Sequence, residues 1–126
     1  MLRYSLRMAT VAVTPINLKV FLNHIYEFKK GVRQLVLYTA HRKYEASIIA
    51  RLESQKIPYL LQPVGNSRIN VFFGRGECID AVNMLVSGRP LYQLSPEEDF
   101  ILGALLGYDL CGQCRRYQER KQKCHA

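Results

Sequence analysis

The sequence predicts an α+β domain: a three-stranded, mainly antiparallel sheet with about four helices and split β-α-β (ferredoxin-like) character. Three observations lead there. Apolar residues recur at three- and four-residue steps in separate stretches of the chain, the mark of helices with one buried face. Two β-prone runs, Pro58 to Val64 and Ile69 to Phe73, flank the turn-forming Gly65-Asn66-Ser67-Arg68 and read as a hairpin. A third β-prone run, Arg33 to Thr39, lies one helix upstream of that hairpin.

The first helix spans Asn17 to Lys30, with Leu18, Phe21, Leu22, Ile25 and Phe28 on one face, Pro15 at its entry and Gly31 as its stop. In the strand that follows, Leu35-Val36-Leu37-Tyr38 is too short and too β-prone for a helix. The second helix runs from Arg42 to Gln55 on a stripe of Tyr44, Ile48, Ile49 and Leu52. After the hairpin, Gly74-Arg75-Gly76 leads into a third helix, Glu77 to Val86. Its Ile79, Val82, Leu85 and Val86 face inward, with Cys78 as a small core-facing residue. The fourth helix opens on Ser95, Pro96 and Glu98, a capping box with proline at the first helical position.

This order, α-β-α-β-β-α-α, is the pattern of a split β-α-β arrangement; with the third strand inserted between the first two the sheet is 1-3-2 and antiparallel, with the first strand at an edge. The fourth helix is apolar all round from Phe100 to Leu106, with Gly103 and Gly107 four apart, and such a helix calls for burial. A homodimer through this helix or through the first strand is the expected answer.

Within the 126 residues, a flexible N-terminal segment (1–16, with Met8 as an alternative start), a single domain (17–117) and a basic C-terminal tail (118–126) are expected. No window approaches the about 18 consecutive apolar residues of a membrane span. The apolar stretch after Arg7 is too short for a secretory signal, so the four cysteines read as reduced thiols or metal ligands in a cytoplasmic protein. The net charge of +8 points to an anionic partner. Arg115, Arg116, Arg120, Lys121 and Lys123 face only Glu119 in the tail, and a docking surface is expected there.

Cys111-Gly112-Gln113-Cys114, followed by Cys124 and His125, supplies four soft ligands of the kind that hold zinc or iron. The first pair has knuckle spacing. The second does not, and two copies of the first pair across a dimer would complete a site instead. The alternative chemistry for the pair is thiol exchange, with Arg115 and Arg116 favouring the thiolate. Against it stands an expected location at or beyond the end of a long helix, where the dipole opposes negative charge.

Enzymatic chemistry finds little support. Glu97, Glu98 and Asp99 are accounted for by the cap and dipole of the fourth helix, His24 by packing and His41 by the surface. No nucleophile elbow, phosphate-binding glycine loop or dinucleotide fingerprint occurs, and Gly74-Arg75-Gly76 reads as a turn before it reads as an anion cradle. Tyr59, Phe72 and Phe73 are candidates for an aromatic RNA platform. The aromatic-basic signature of such proteins is absent, and a small sheet needs its aromatics for the core.

Four blocks together resemble a known family: Val20 to Arg33, Leu35 to Thr39, Ile69 to Gly74, and Leu106 to Tyr117. The family is an uncharacterised bacterial one with chains of about this length, a domain of unknown function, and the resemblance covers Asn17 to Tyr117. It implies a three-stranded, multi-helix α+β domain that forms a homodimer, and it brings no activity, ligand or catalytic residue. The expected function is therefore non-enzymatic protein binding by a homodimer, with an acidic partner such as a flavodoxin. Metal binding or thiol redox at Cys111 and Cys114 is the alternative, and nucleic-acid binding the second alternative.

Overall fold

The computed structural model of the chain describes residues 16–124. The expectations for the segment before Ile16 and for His125 lie outside the described residues. In chain order the elements are α1 (Ile16–Lys29), β1 (Leu35–His41), a 3-10 turn (Arg42–Tyr44), α2 (Glu45–Ser54), β2 (Tyr59–Val64) and β3 (Arg68–Gly74). There follow α3 (Gly76–Val86), a second 3-10 turn (Leu91–Gln93), α4 (Pro96–Leu105) and α5 (Leu110–Cys124). The chain forms two compact units, one up to Ile79 and one from Asp80 on.

The sheet of the first unit has the order β1-β3-β2, with β3 antiparallel to both neighbours. Two main-chain bonds beyond the strand ends, Arg42 N–H to the Ser67 carbonyl at 2.7 Å and Arg75 N–H to the Gln34 carbonyl at 3.0 Å, fix the phase of the β1–β3 ladder. Even-numbered residues of β1 exchange bonds with β3, so the N–H and C=O groups of Leu35, Leu37 and Thr39, and the N–H of His41, turn toward the side on which no strand lies among the described residues. The Gly74 N–H donates to the Pro58 carbonyl at 3.2 Å, which sets β2 in the same way and leaves Tyr59, Leu61 and Pro63 outward. Pro63 thus occupies an edge position where a missing N–H costs no ladder bond.

Because side chains alternate along a strand, Val36, Tyr38 and Ala40 share a face with Ile69, Val71 and Phe73. That face forms the core with Phe21 and Ile25 of α1, Ile48 and Leu52 of α2, and Ile57. The Phe21 ring meets Phe73 edge-on at 5.6 Å. Each such fully buried side chain contributes about 1.5–3 kcal/mol. α1 stops at a Schellman turn: Gly31, at φ +80°, donates to the Phe28 carbonyl, and Val32 donates to that of Glu27, both at 3.0 Å.

In the second unit the capping box is present, with Ser95 Oγ accepting from the Glu98 N–H at 3.1 Å and Glu98 Oε1 accepting from the Ser95 N–H at 2.9 Å. α4 ends in another Schellman turn: Gly107, at φ +75°, donates to the Ala104 carbonyl at 3.0 Å and Tyr108 donates to that of Gly103 at 3.1 Å. The chain then re-enters a helix. Asp109 Oδ2 accepts from the Gly112 N–H at 2.7 Å, as a helix N-cap does. The described residues therefore carry five α-helices where about four were expected, and residues 118–124 of the expected tail belong to the fifth.

α4 is less buried than its composition demands. Leu102 and Leu106 are inside, yet Ile101 is 47% and Leu105 43% exposed. Gly103 serves an internal contact, since a methyl group there would run into the side-chain amide of Gln113 on α5.

Candidate functional site

Asp109 sets the position of the cysteine pair. With Asp109 as cap, Cys111 is the second residue of α5 and Cys114 lies one turn further on, exposed and half-buried respectively. This reverses the expectation of a pair at the end of a helix: the cysteines open one, and the dipole argument against thiolate chemistry falls. Their i,i+3 spacing puts the two side chains on one face, with Cβ atoms about 5–6 Å apart. Cys124, at the far end of the same helix, is thirteen residues and about 20 Å along the axis from Cys111. It does not join the pair within one chain. Among the described residues no three side chains of the metal-ligating kind converge.

Three of the five cations expected to dock a partner form ion pairs within the chain. Arg116 grips Asp99 through Nε at 2.7 Å and Nη2 at 3.1 Å. Arg120 reaches Asp99 at 3.3 Å and donates to the Leu94 carbonyl at 3.0 Å. Lys121 pairs with Glu97 at 2.8 Å, and the Tyr117 hydroxyl donates to the same carboxylate at 3.0 Å. Together Lys121 and Tyr117 hold the Glu97 carboxyl below the usual carboxylate range. α5 buries no residue; these ion pairs and the stacking of Phe100 on Tyr117, at 5.3 Å, fasten it to α4. Of the five cations, Arg115 and Lys123 are the two with no carboxylate against them among the described residues.

From Asp80 to the C-terminus, six basic and six acidic side chains cancel. The whole net charge of +8 falls in residues 1–79, with twelve basic and four acidic side chains. Three of those carboxylates are engaged: Glu27 with His24 and Arg33, Glu53 with Tyr59, and Glu77 with Arg75.

Within that unit an open groove of about 470 Å³ lies at the His41 end of β1, lined by Val20, Tyr38, Thr39, Ala40, His41, Ser67 and Arg68. Val20, on α1, is 47% exposed. His41 stands directly across from Arg68, and Arg42 and Lys43 follow it in the 3-10 turn. His41 Nδ1 accepts from the Lys43 N–H at 3.0 Å, which leaves Nε2 as the donor facing outward. Arg42 and Arg68 have no carboxylate partner among the described residues. Thr39 Oγ1 donates to Asn70 Oδ1 at 2.7 Å, holding the strand pair beneath the groove.

Other sites weighed in the sequence resolve differently. Phe72 and Phe73 are wholly buried and point to opposite faces of the sheet, so neither is available as an RNA platform. The Arg75 N–H is spent on Gln34, which removes a donor from the Gly74-Arg75-Gly76 cradle. His24 packs edge-on near Tyr38, and its Nδ1 lies 3.4 Å from both Glu27 and Arg33. Cys78 is half-buried. The groove at β1 went unread in the sequence, although a charge tally by halves of the chain would have pointed to that unit.

These features define a small α+β protein with a three-stranded antiparallel sheet and a cationic groove beside its open edge. The family described as "Protein of unknown function (DUF2023)" matches residues 19–120, and the chain belongs to it. No curated protein matches. Among the described residues no helix is long and apolar enough to cross a membrane.

Proposed function

We propose that this chain is a cytoplasmic, non-enzymatic binding protein whose partner is an acidic protein, a flavodoxin being one of suitable chemistry. The observation that carries the reading is the charge distribution: all of the net +8 lies in residues 1–79. Among the described residues the arginines at 42 and 68 stand there without carboxylates, whereas most of the C-terminal cations are paired within their own unit. The docking surface is therefore the His41–Arg42–Lys43–Arg68 region rather than α5. A titration of the protein with purified flavodoxin, followed by calorimetry, tests this. Affinity falls with added salt, and R42E/K43E/R68E removes it while R115E/K123E keeps it. Equal binding by both variants, or indifference to salt, sinks the reading.

The protein acts as a homodimer in this proposal, through the exposed α4 stripe of Ile101 and Leu105, with Tyr108 (44% exposed) beside it. A mass measurement in solution checks it: I101K/L105K is monomeric and the native chain is dimeric. The β1–α2–β2 passage with β3 inserted is read as a ferredoxin-like split β-α-β that lacks its fourth strand.

One observation favours a second reading. Cys111 and Cys114 open a capped helix, the setting in which dithiols exchange with disulfides and thiolates hold metals. A protein disulfide accepting two electrons would leave these residues as an intramolecular disulfide; two such pairs across a dimer would hold one zinc or iron. Elemental analysis and thiol counting on protein purified anaerobically decide it, and C111S/C114S then loses the metal or the exchange.

A further inference from the structure

We propose that the open edge of β1 receives an extended acidic segment of the partner as a fourth strand, antiparallel or parallel, seated in the groove beside Val20. This deepens the reading of an anionic partner and rests on it. The first ground is the backbone. The N–H and C=O groups of Leu37 and Thr39 and the N–H of His41 are directed away from β3, a row of donors and acceptors at strand spacing; the His41 carbonyl is the cap of the 3-10 turn. An edge of this kind is satisfied by adding a strand, main-chain bonds supplying affinity and side-chain pockets the selectivity.

The second ground is the space. Four consecutive residues, Tyr38 to His41, line one groove together with Val20. Neighbouring strand residues project to opposite faces, so a groove touching all four runs along the backbone edge. Val20 supplies an apolar contact for alternate side chains of the incoming strand.

The third ground is charge, and it selects the occupant. His41, Arg42, Lys43 and Arg68 surround one end of the groove, and Arg33 precedes β1 at the other. A second copy pairing β1 against β1 about a two-fold axis would set Arg33 of each chain beside the His41–Lys43 end of its partner, and like charges directly opposed are destabilising. The chain's own N-terminal residues carry Arg3 and Arg7 and no carboxylate. A strand rich in Asp and Glu meets the complementary field. The opposite edge of the sheet is unsuited to the same role, because Pro63 takes one of its outward donors away.

The test uses the full-length protein and a synthetic peptide alternating Glu with Val, followed by amide hydrogen exchange and calorimetry in low salt. Binding slows exchange at Leu37, Thr39 and His41 and leaves the outward amides of β2 unchanged. Thr39→Pro, which removes an outward donor and the side-chain bond to Asn70 but no main-chain bond of the β3 ladder, weakens binding about tenfold or more, and Thr39→Ala, which loses only the side-chain bond, does not. R42E/R68E weakens it too, and a Lys-Val peptide does not bind. Should Thr39→Pro lose its fold, the exchange pattern of the native protein carries the decision.

Peptide binding with no slowing at those three amides overturns strand addition while leaving the charge-based reading of the partner intact. No binding of the acidic peptide, with flavodoxin still bound, does the same. Slow exchange at these amides in the free protein would show the edge already filled, by a second copy if it depends on concentration and by the chain itself if not, and would overturn the inference in both cases.

Discussion

Arg89 closes a two-pronged ion pair on Glu98, with Nη1 2.9 Å from Oε1 and Nη2 2.7 Å from Oε2. The same guanidinium donates from Nη2 to the Leu85 carbonyl at 2.8 Å and from Nε to that of Val86 at 3.1 Å. One side chain thus satisfies the orphan carbonyls at the end of α3 and fixes the carboxylate that caps α4.

This arrangement predicts acid sensitivity with a definite window. Hydrogen bonds from Arg89, then from the Ser95 backbone, hold the Glu98 carboxyl down at about 2 against an ordinary 4.5. Its folded value is depressed, so the stabilisation is present above pH 4.5 and drains away as pH falls toward 2. Thermal unfolding across that range shows the native protein losing stability on acidification, and E98Q showing a shallower dependence. R89A lowers the melting temperature at neutral pH.

At the alkaline end Tyr59 is the marker. Burial, and after it the hydrogen bond to Glu53 Oε2 at 2.8 Å, push its hydroxyl up to about 12 from 10.0. Its folded value is raised, so the contribution is complete below pH 10 and is lost as pH rises through 12. Phenolate absorbance followed with pH finds a late-titrating tyrosine that disappears in Y59F, whose stability loss at neutral pH stays within about 1 kcal/mol.

Gly74 is a steric requirement. A Cβ there would meet the Gln34 carbonyl and stand 2.9 Å from Leu35 Cα, both backbone atoms of the neighbouring strand. G74A costs about 1–3 kcal/mol in denaturant unfolding. G76A, two residues on, meets nothing within 4 Å and leaves stability unchanged or slightly raised.

The cap of α5 carries its own expectation. D109A removes the acceptor of the Gly112 N–H and costs about 0.5–2 kcal/mol. Cys111 is then more exposed to alkylation than in the native chain, because the first turn of the helix frays. Equal alkylation rates in the two proteins would argue that the Asp109 bond does not hold that turn.

The sheet was legible because its signals are local. Gly65-Asn66 marks the hairpin, and the apolar runs on each side differ in length and β-propensity from the helical stripes around them. The 1-3-2 order followed from reading the element order as a split β-α-β arrangement, in which the third strand inserts between the first two. Ser95, Pro96 and Glu98 gave the start of α4 to the residue. What failed was the stretch after Leu106. Gly107 was read as half of a small face together with Gly103, whereas its positive φ stops the helix, and Asp109 two residues later is a cap. Treating α4 as one long helix then misplaced Cys111 and Cys114 at the wrong end of a dipole. The basic residues of α5 look uncompensated in linear sequence because Glu97 and Asp99, their partners, lie some twenty positions upstream. Long-range pairing of that kind leaves no mark on local composition, and the groove beside β1 exists only once α1 and the strand are folded together.

Pro63 gives the sheet a direction of growth. With one outward donor missing on β2 and the opposite side complete, strands can accumulate on a single flank only. A captured strand brings its own outer edge, so growth outward from β1 is ended by the guest and not by the host. Charge or proline along the outer edge of the guest then decides whether one segment or several are held.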